Sequence, residues 1–102
     1  MSAHSVIQTY HQNNVMSSDP LKLIIMMYDR AIHGCRQKDL EQTWNAIKML
    51  IDSLNMEAKP IADNLLAIYD YCSELARTKE FDKAAMILQE LRDTWASVKH
   101  ET

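Results

Sequence analysis

Four histidines are the residues of this chain best suited to metal binding or catalysis. They are His4, His11, His33 and His100. No two of them have the i, i+4 spacing, with a third acidic ligand, that places metal ligands on one helical face. The sequence also lacks a glycine-rich phosphate loop and a GxSxG nucleophile motif. We therefore expect no metal, no cofactor and no enzymatic activity.

His33 alone has surroundings that suggest a reaction. It lies among Lys22, Arg30 and Arg36 and precedes Gly34, an arrangement similar to that of a phosphotransfer histidine on a helical bundle. The HxxKG pattern of such domains is missing from the sequence, and a solvated helix histidine is far commoner. Phosphotransfer is therefore an alternative hypothesis, which labelling with a phosphodonor would test.

The carboxylates and cysteines are explained by structure rather than by chemistry. Asp63, Asp70 and Glu74 recur on the outer face of one predicted helix, which is typical of a solvated surface. Cys35 and Cys72 fall within apolar helical faces and have no CxxC spacing. We expect them to be reduced core residues, as in a cytoplasmic protein.

The composition of the 102-residue chain predicts one all-α domain. One glycine and two prolines leave little material for hairpins and tight turns. The net charge of −3 disfavours nucleic acid as a partner, because phosphate binding requires a basic face. No stretch approaches the roughly 18 apolar residues of a membrane span, so we expect no membrane insertion. The N-terminus has neither the basic start nor the apolar segment of a secretory signal.

Apolar periodicity divides the chain into a tail and a bundle domain. Residues 1–18 are polar and aperiodic, which predicts a mobile N-terminal tail, and residues 19–102 form the domain. The predicted helices are 20–37, 40–55, 60–79 and 80–100, with N-caps at Asp19 and Asp39. The apolar stripe of the second helix comprises Leu40, Trp44, Ile47, Leu50, Ile51 and Leu54. Short connections predict a small antiparallel up-down four-helix bundle.

The first predicted helix is more apolar than one-sided packing requires. Its segment LKLIIMMYDRAI spreads apolar residues over an arc of about 200°, whereas packing on one side needs about 100°. Either this helix sits centrally beneath the tail, or its excess apolar side lines a groove for another chain. Seven methionines fit an adaptable surface, and Met26 and Met86 are the two that a core explains least. Both explanations hold if the tail covers the groove until a partner replaces it.

Three segments carry a family resemblance over residues 10–95. Tyr10 is followed ten residues later by Pro20. Pro20 belongs to the segment SSDPLKLIIMMYDRAI, which is similar to the family's TASPxxLIxMLYDGAI. The segment SLNMEAKPIADNLLAIYDYCSEL is similar to SLDxExGGEIAxNLxxLYDY, and ILQELRDTW to LLxELRDTW. In order and spacing the three resemble FliS, the family of flagellar export chaperones.

The resemblance implies a cytoplasmic chaperone that binds the disordered C-terminal segment of flagellin and prevents premature polymerisation by coupled folding and binding. A component of the export apparatus is a further implied partner. In such proteins the N-terminal segment lies near the groove, a role that falls to Tyr10 and Val15. The implied groove residues are Leu23, Ile24, Met27, Tyr28 and Ile32, with Leu65, Ile68 and Tyr69 from the third helix. For the third-helix residues plain core packing is the alternative, and for Leu65 and Ile68 we favour it.

The sequence also departs from the family pattern. The connection between the first two helices is short, Arg30 replaces a glycine, and Lys59-Pro60 replaces a glycine pair. Trp44 is an unusually large residue on the shortened second helix. Because a shorter bundle offers a shorter groove, a second flagellin or another secreted client is an alternative partner. A homodimer that buries the apolar arc of the first helix against a second copy is another.

Overall fold

The computed structural model describes residues 20–99 of the backbone and residues 21–97 of the side chains. Its helices are α1 (Pro20–Arg36), α2 (Leu40–Asp52), α3 (Ile61–Arg77) and α4 (Phe81–Lys99). Each helix packs on the next along the chain, and α1 also packs on α4, which closes an antiparallel bundle. The predicted all-α fold is therefore confirmed. The predicted tail and the predicted cap Asp19 lie outside the described residues.

Three aromatic side chains meet at the centre of the bundle. Tyr28 of α1 and Tyr69 of α3 are buried, their hydroxyls hydrogen-bond to each other, and their ring centroids lie 6.1 Å apart. Trp95 of α4 is buried beside them, 6.4 Å from the ring of Tyr28. Since α1 and α3 lie diagonally across the bundle, the tyrosine pair spans the core. The mutual hydrogen bond helps to offset the desolvation of the two buried hydroxyls.

Helices α1 and α2 approach each other closely at Gly34, the single glycine of the chain. A Cβ atom added to Gly34 would lie 2.6 Å from Thr43 Oγ1 and 2.8 Å from Thr43 N. Thr43 is fully buried, and its hydroxyl donates to the carbonyl of Asp39 at 2.8 Å. This contact turns Thr43, Ala46, Ile47 and Leu50 inward as the buried face of α2.

The stripe predicted for α2 is therefore wrong at its N-terminal end. Leu40 is exposed, and Trp44 is 47% exposed, although both belong to the predicted stripe. The reason is that the small residues Thr43 and Ala46 occupy the approach to α1, which rotates Leu40 and Trp44 towards α3. Periodicity located the helix but not the centre of its buried face.

The turn between α1 and α2 is fixed by backbone bonds and one cap. Lys38 adopts a left-handed conformation with φ 55°, and the Asp39 amide donates to the carbonyl of Gly34 at 2.9 Å. The Asp39 carboxylate accepts a hydrogen bond from the backbone N–H of Gln42 at 3.0 Å, which confirms the predicted N-cap. Because the backbone N–H of Asp39 donates to Gly34, it is not available to the Gln42 side chain for the second bond of a capping box.

Candidate partner-binding site

The structure divides the predicted groove residues between the core and the surface. Ile24, Tyr28, Ile32, Leu65 and Tyr69 are buried. Leu23 is 38% exposed, while Met27 and Ile68 are half-buried. Tyr10 and Val15 lie outside the described residues.

The residues predicted on α1 and α3 do not share one surface in the described chain. Each of these helices lies between α2 and α4, so the two face each other across the core. They meet there through Tyr28 and Tyr69, which are inaccessible to a partner while the bundle stays closed. The predicted residues that a partner can reach without rearrangement are Leu23 and Met27 on α1, and Ile68 on α3.

Leu23 and Met27 belong to an apolar strip along the side of α1 that faces α2. Leu23, Met27 and Arg30 follow at i, i+4 and i+7, so they lie on one side of the helix. Arg30 lines an open groove of about 370 Å³, and Asn45, Ala46 and Met49 of α2 form part of its other wall. We call the set Leu23, Met26, Met27, Arg30 and Met49 the α1–α2 surface.

The α1–α2 surface is rich in methionine and has basic neighbours. Met26 and Met49 are exposed, and Met27 is half-buried. Lys22 and Arg30 are exposed on the same helix. Unbranched methionine side chains repack around different contours, which suits a surface that must fit a flexible chain. Three methionines and a leucine thus form an adaptable apolar patch beside positive charge.

A second open region, missed by the sequence analysis, lies between α2 and α3. Leu40 and Trp44 of α2 and Ala76 of α3 line a cleft of about 810 Å³. Its remaining lining residues are polar: Glu41, Asp70, Ser73, Glu74 and Arg77. We call this region the α2–α3 cleft. The signal that could have revealed it is the pair of small residues Thr43 and Ala46, which match the glycine of α1 and predict the face that α2 buries.

The cysteines and His33 show no arrangement for chemistry in the described part of the chain. Cys35 and Cys72 are free and buried, which confirms the predicted core thiols. Burial raises the pKa of Cys72 to about 12 and also raises that of Cys35, so neither thiol is an activated nucleophile. His33 is exposed on α1. Among the described residues, no three His, Cys, Asp or Glu side chains are grouped to hold a metal ion.

Comparison with known proteins identifies the family. The family model described as "Flagellar protein FliS" matches residues 3–102 and so includes all four helices. A search among curated proteins found no match, and neither did a search among solved structures. No described helix is long and apolar enough to cross a membrane. Because the match covers nearly the whole chain, the protein belongs to the FliS family of flagellar export chaperones.

Proposed function

We propose that this protein is a cytoplasmic chaperone that binds the disordered C-terminal segment of flagellin and prevents its polymerisation before export. The family match over residues 3–102 is the observation that carries the proposal. A member of a flagellar chaperone family needs an apolar surface for a client that has not yet folded. The α1–α2 surface supplies one, and we assign the client to it.

The stability of such a complex depends on whether the free energy gained by burying apolar side chains exceeds the entropic cost of ordering the client. A disordered segment that folds on binding gives up about 2–5 kcal/mol in ordering. Each large apolar side chain that becomes fully buried contributes about 1.5–3 kcal/mol. Leu23, Met26 and Met49 are exposed and would be covered by the client. Because these side chains are only 38%, 46% and 43% exposed, covering each one supplies about half of that value, and the apolar side chains of the client must supply the rest.

The N-terminal tail is the proposed cover of this surface before the client arrives. It joins the bundle at Pro20, less than two turns before Leu23 and Met26. Tyr10 and Val15 are then close enough along the chain to occupy the patch that the client would take. A component of the export apparatus, which receives the loaded chaperone, is the further partner that we propose.

Calorimetric titration with a flagellin C-terminal peptide tests the proposal. We expect 1:1 binding with a negative heat-capacity change, because apolar surface is buried. Leu23→Asp should weaken binding by about tenfold or more, equivalent to about 1.4 kcal/mol. Met86→Asp is the matched control, since Met86 is 69% exposed on α4 and does not belong to the α1–α2 surface. Binding that both variants weaken equally, or no heat with the peptide, would refute the proposal.

Measurements on the same purified protein distinguish the alternative hypotheses. A homodimer that buries the α1 arc would sediment as a dimer at low concentration and would dissociate in Leu23→Asp. A different secreted client would leave the flagellin peptide unbound while the protein remains monomeric. The phosphotransfer hypothesis requires acid-labile label on His33 that is lost in His33→Gln.

A further inference from the structure

The α2–α3 cleft exposes the large apolar side chains that the bundle leaves uncovered on the far side of α2. Trp44 is 47% exposed, and Leu40 is exposed one turn before it. With Ala76 they form the apolar part of a cleft of about 810 Å³, larger than the groove of about 370 Å³ on the other side of α2. Exposed aromatic residues at a concave site are typical of recognition rather than of folding stability.

The rim of the cleft is acidic. Glu41, Asp70 and Glu74 contribute three carboxylates, against Arg77 as the single cation among the lining residues. Arg77 is already paired with Glu74, with 2.5 Å between Nη2 and Oε2. Glu41 and Asp70 are left to attract positive charge from outside the bundle. A ligand that complements the cleft therefore combines large apolar groups with Lys or Arg.

A buried hydroxyl in the wall of the cleft adds a polar requirement. Ser73 Oγ is shielded from solvent and has no hydrogen-bond partner among the described residues. It lines the cleft beside Ala76 and Arg77. Buried hydroxyls are normally paired, so a ligand that brings a donor or an acceptor to this position would satisfy it.

The segments before α1 and after α4 are unsuited to fill the cleft, by their position and by their charge. The cleft lies at the end of the bundle where α2 begins and α3 ends, whereas α1 begins and α4 ends at the opposite end. The 17 residues of α1 place these ends about 25 Å apart. Residues 1–19 and residues 100–102 contain neither Lys nor Arg. These two segments therefore lack the charged groups that the rim attracts.

We propose that the α2–α3 cleft docks an amphipathic helix of another protein, with apolar residues against Leu40 and Trp44 and Lys or Arg facing Glu41 and Asp70. Helices bind in grooves through apolar anchors spaced at i, i+3, i+4 and i+7, and flanking charges set their orientation. The cleft shares one lining residue, Glu41, with the groove at the α1–α2 surface, and the other α2 residues of the two regions lie on different sides of the helix. A second protein can therefore bind while a client occupies α1, and the proposal does not depend on the identity of that client.

A short amphipathic Leu/Lys helix and its Leu/Glu counterpart are the probes. Trp44 reports directly, because the other tryptophan, Trp95, is buried. We expect the Leu/Lys helix to shift the emission of Trp44 to the blue and to protect it from acrylamide, and the Leu/Glu helix to do neither. Equal binding of both helices, or no binding of the Leu/Lys helix, would overturn the proposal.

Two variants and their controls locate the binding. By calorimetry, Trp44→Ala and Asp70→Lys should each weaken binding of the Leu/Lys helix by about tenfold. Met86→Ala and Glu90→Lys, which make the same kinds of change on α4, should leave it unchanged. If the Glu90→Lys control weakens binding as much as Asp70→Lys, the attraction is general and the proposal is wrong. Both cleft residues are exposed, and circular dichroism verifies that each variant keeps its helices.

Two further outcomes separate this cleft from other interfaces. Leu23→Asp should bind the Leu/Lys helix as the parent protein does, so failure of the flagellin proposal leaves this one standing. A concentration-dependent dimer that Trp44→Ala abolishes would show that a second copy occupies the cleft, and would overturn the proposal.

Discussion

The two tryptophans of this protein lie in regions with opposite roles. Trp95 is 5% exposed and packs beside Tyr28, where α1, α3 and α4 meet. Trp44 is 47% exposed on the side of α2 that faces α3. Trp44 was expected on the apolar stripe of its helix, yet only Trp95 belongs to the core. The position of a large aromatic residue on an apolar helical stripe therefore does not predict whether it packs in the core or lies at a binding surface. The rotation of the helix about its axis determines which of the two it does.

Replacement of each tryptophan gives the largest contrast. Trp95→Ala leaves a cavity in the core and should lower the free energy of unfolding by about 3–5 kcal/mol. Trp44→Ala removes a side chain that is half in solvent and should change it by no more than about 0.5 kcal/mol. Chemical denaturation of both variants measures the difference. A loss in Trp44→Ala comparable with that in Trp95→Ala would mean that the α2–α3 cleft is part of the core.

Alkaline pH probes the same core through its tyrosine pair. Desolvation by burial, partly opposed by the hydrogen bond with Tyr69, raises the pKa of Tyr28 from 10.0 to about 12. In the unfolded chain this tyrosine loses its proton at lower pH than in the folded one. The stability that Tyr28 contributes is therefore complete below pH 10 and falls as pH rises towards 12. Two pKa units correspond to about 2–3 kcal/mol.

Denaturation at a series of pH values measures this loss, with Tyr28→Phe as the comparison. The variant lacks the titrating group, so its stability should fall less steeply between pH 10 and 12. Cys72, whose pKa burial raises from 9.0 to about 12, contributes a loss with the same sign in both proteins. Identical slopes for the two proteins would show that Tyr28 does not carry the effect.

The sequence predicted the helices and most of the core, because apolar periodicity is a local property. The four predicted segments match the observed helices to within three residues at their ends. The centre of the buried face of α2 was missed, because it depends on the contact between Gly34 and Thr43, which lie on different helices and meet only when α1 and α2 pack. The same limit applies to the site: Tyr28 and Leu23 share one apolar run, and only the packing of α3 and α4 separates a core residue from an exposed one.

Gly34 tests the reason for the exposure of Trp44. In Gly34→Ala, the added Cβ would lie 2.8 Å from the backbone nitrogen of Thr43, so the helices must move apart. We expect a loss of about 1–2 kcal/mol, since overpacking outweighs the better helix propensity of alanine. The emission of Trp44 should also change, because α2 shifts relative to α3. Unchanged stability with unchanged emission would contradict the role given to this contact.

The smallest effect is expected at the seam between α1 and α4, where an ion pair bridges the helices. Arg92 Nε lies 3.0 Å from Asp29 Oδ1, and both side chains are partly exposed to solvent. Water and salt screen such pairs, so Asp29→Asn should cost only about 0.2–1 kcal/mol, and less at high ionic strength. Thermal denaturation at low and high salt measures it, with Glu90→Gln, which removes an exposed carboxylate elsewhere on α4, as the control. A loss in Asp29→Asn as large as that in Trp95→Ala would mean that this ion pair stabilises the bundle as much as the aromatic core does. A small loss is expected if the aromatic core carries most of the stability. Residues on the exposed side of α2 can then vary to suit a partner without loss of the fold.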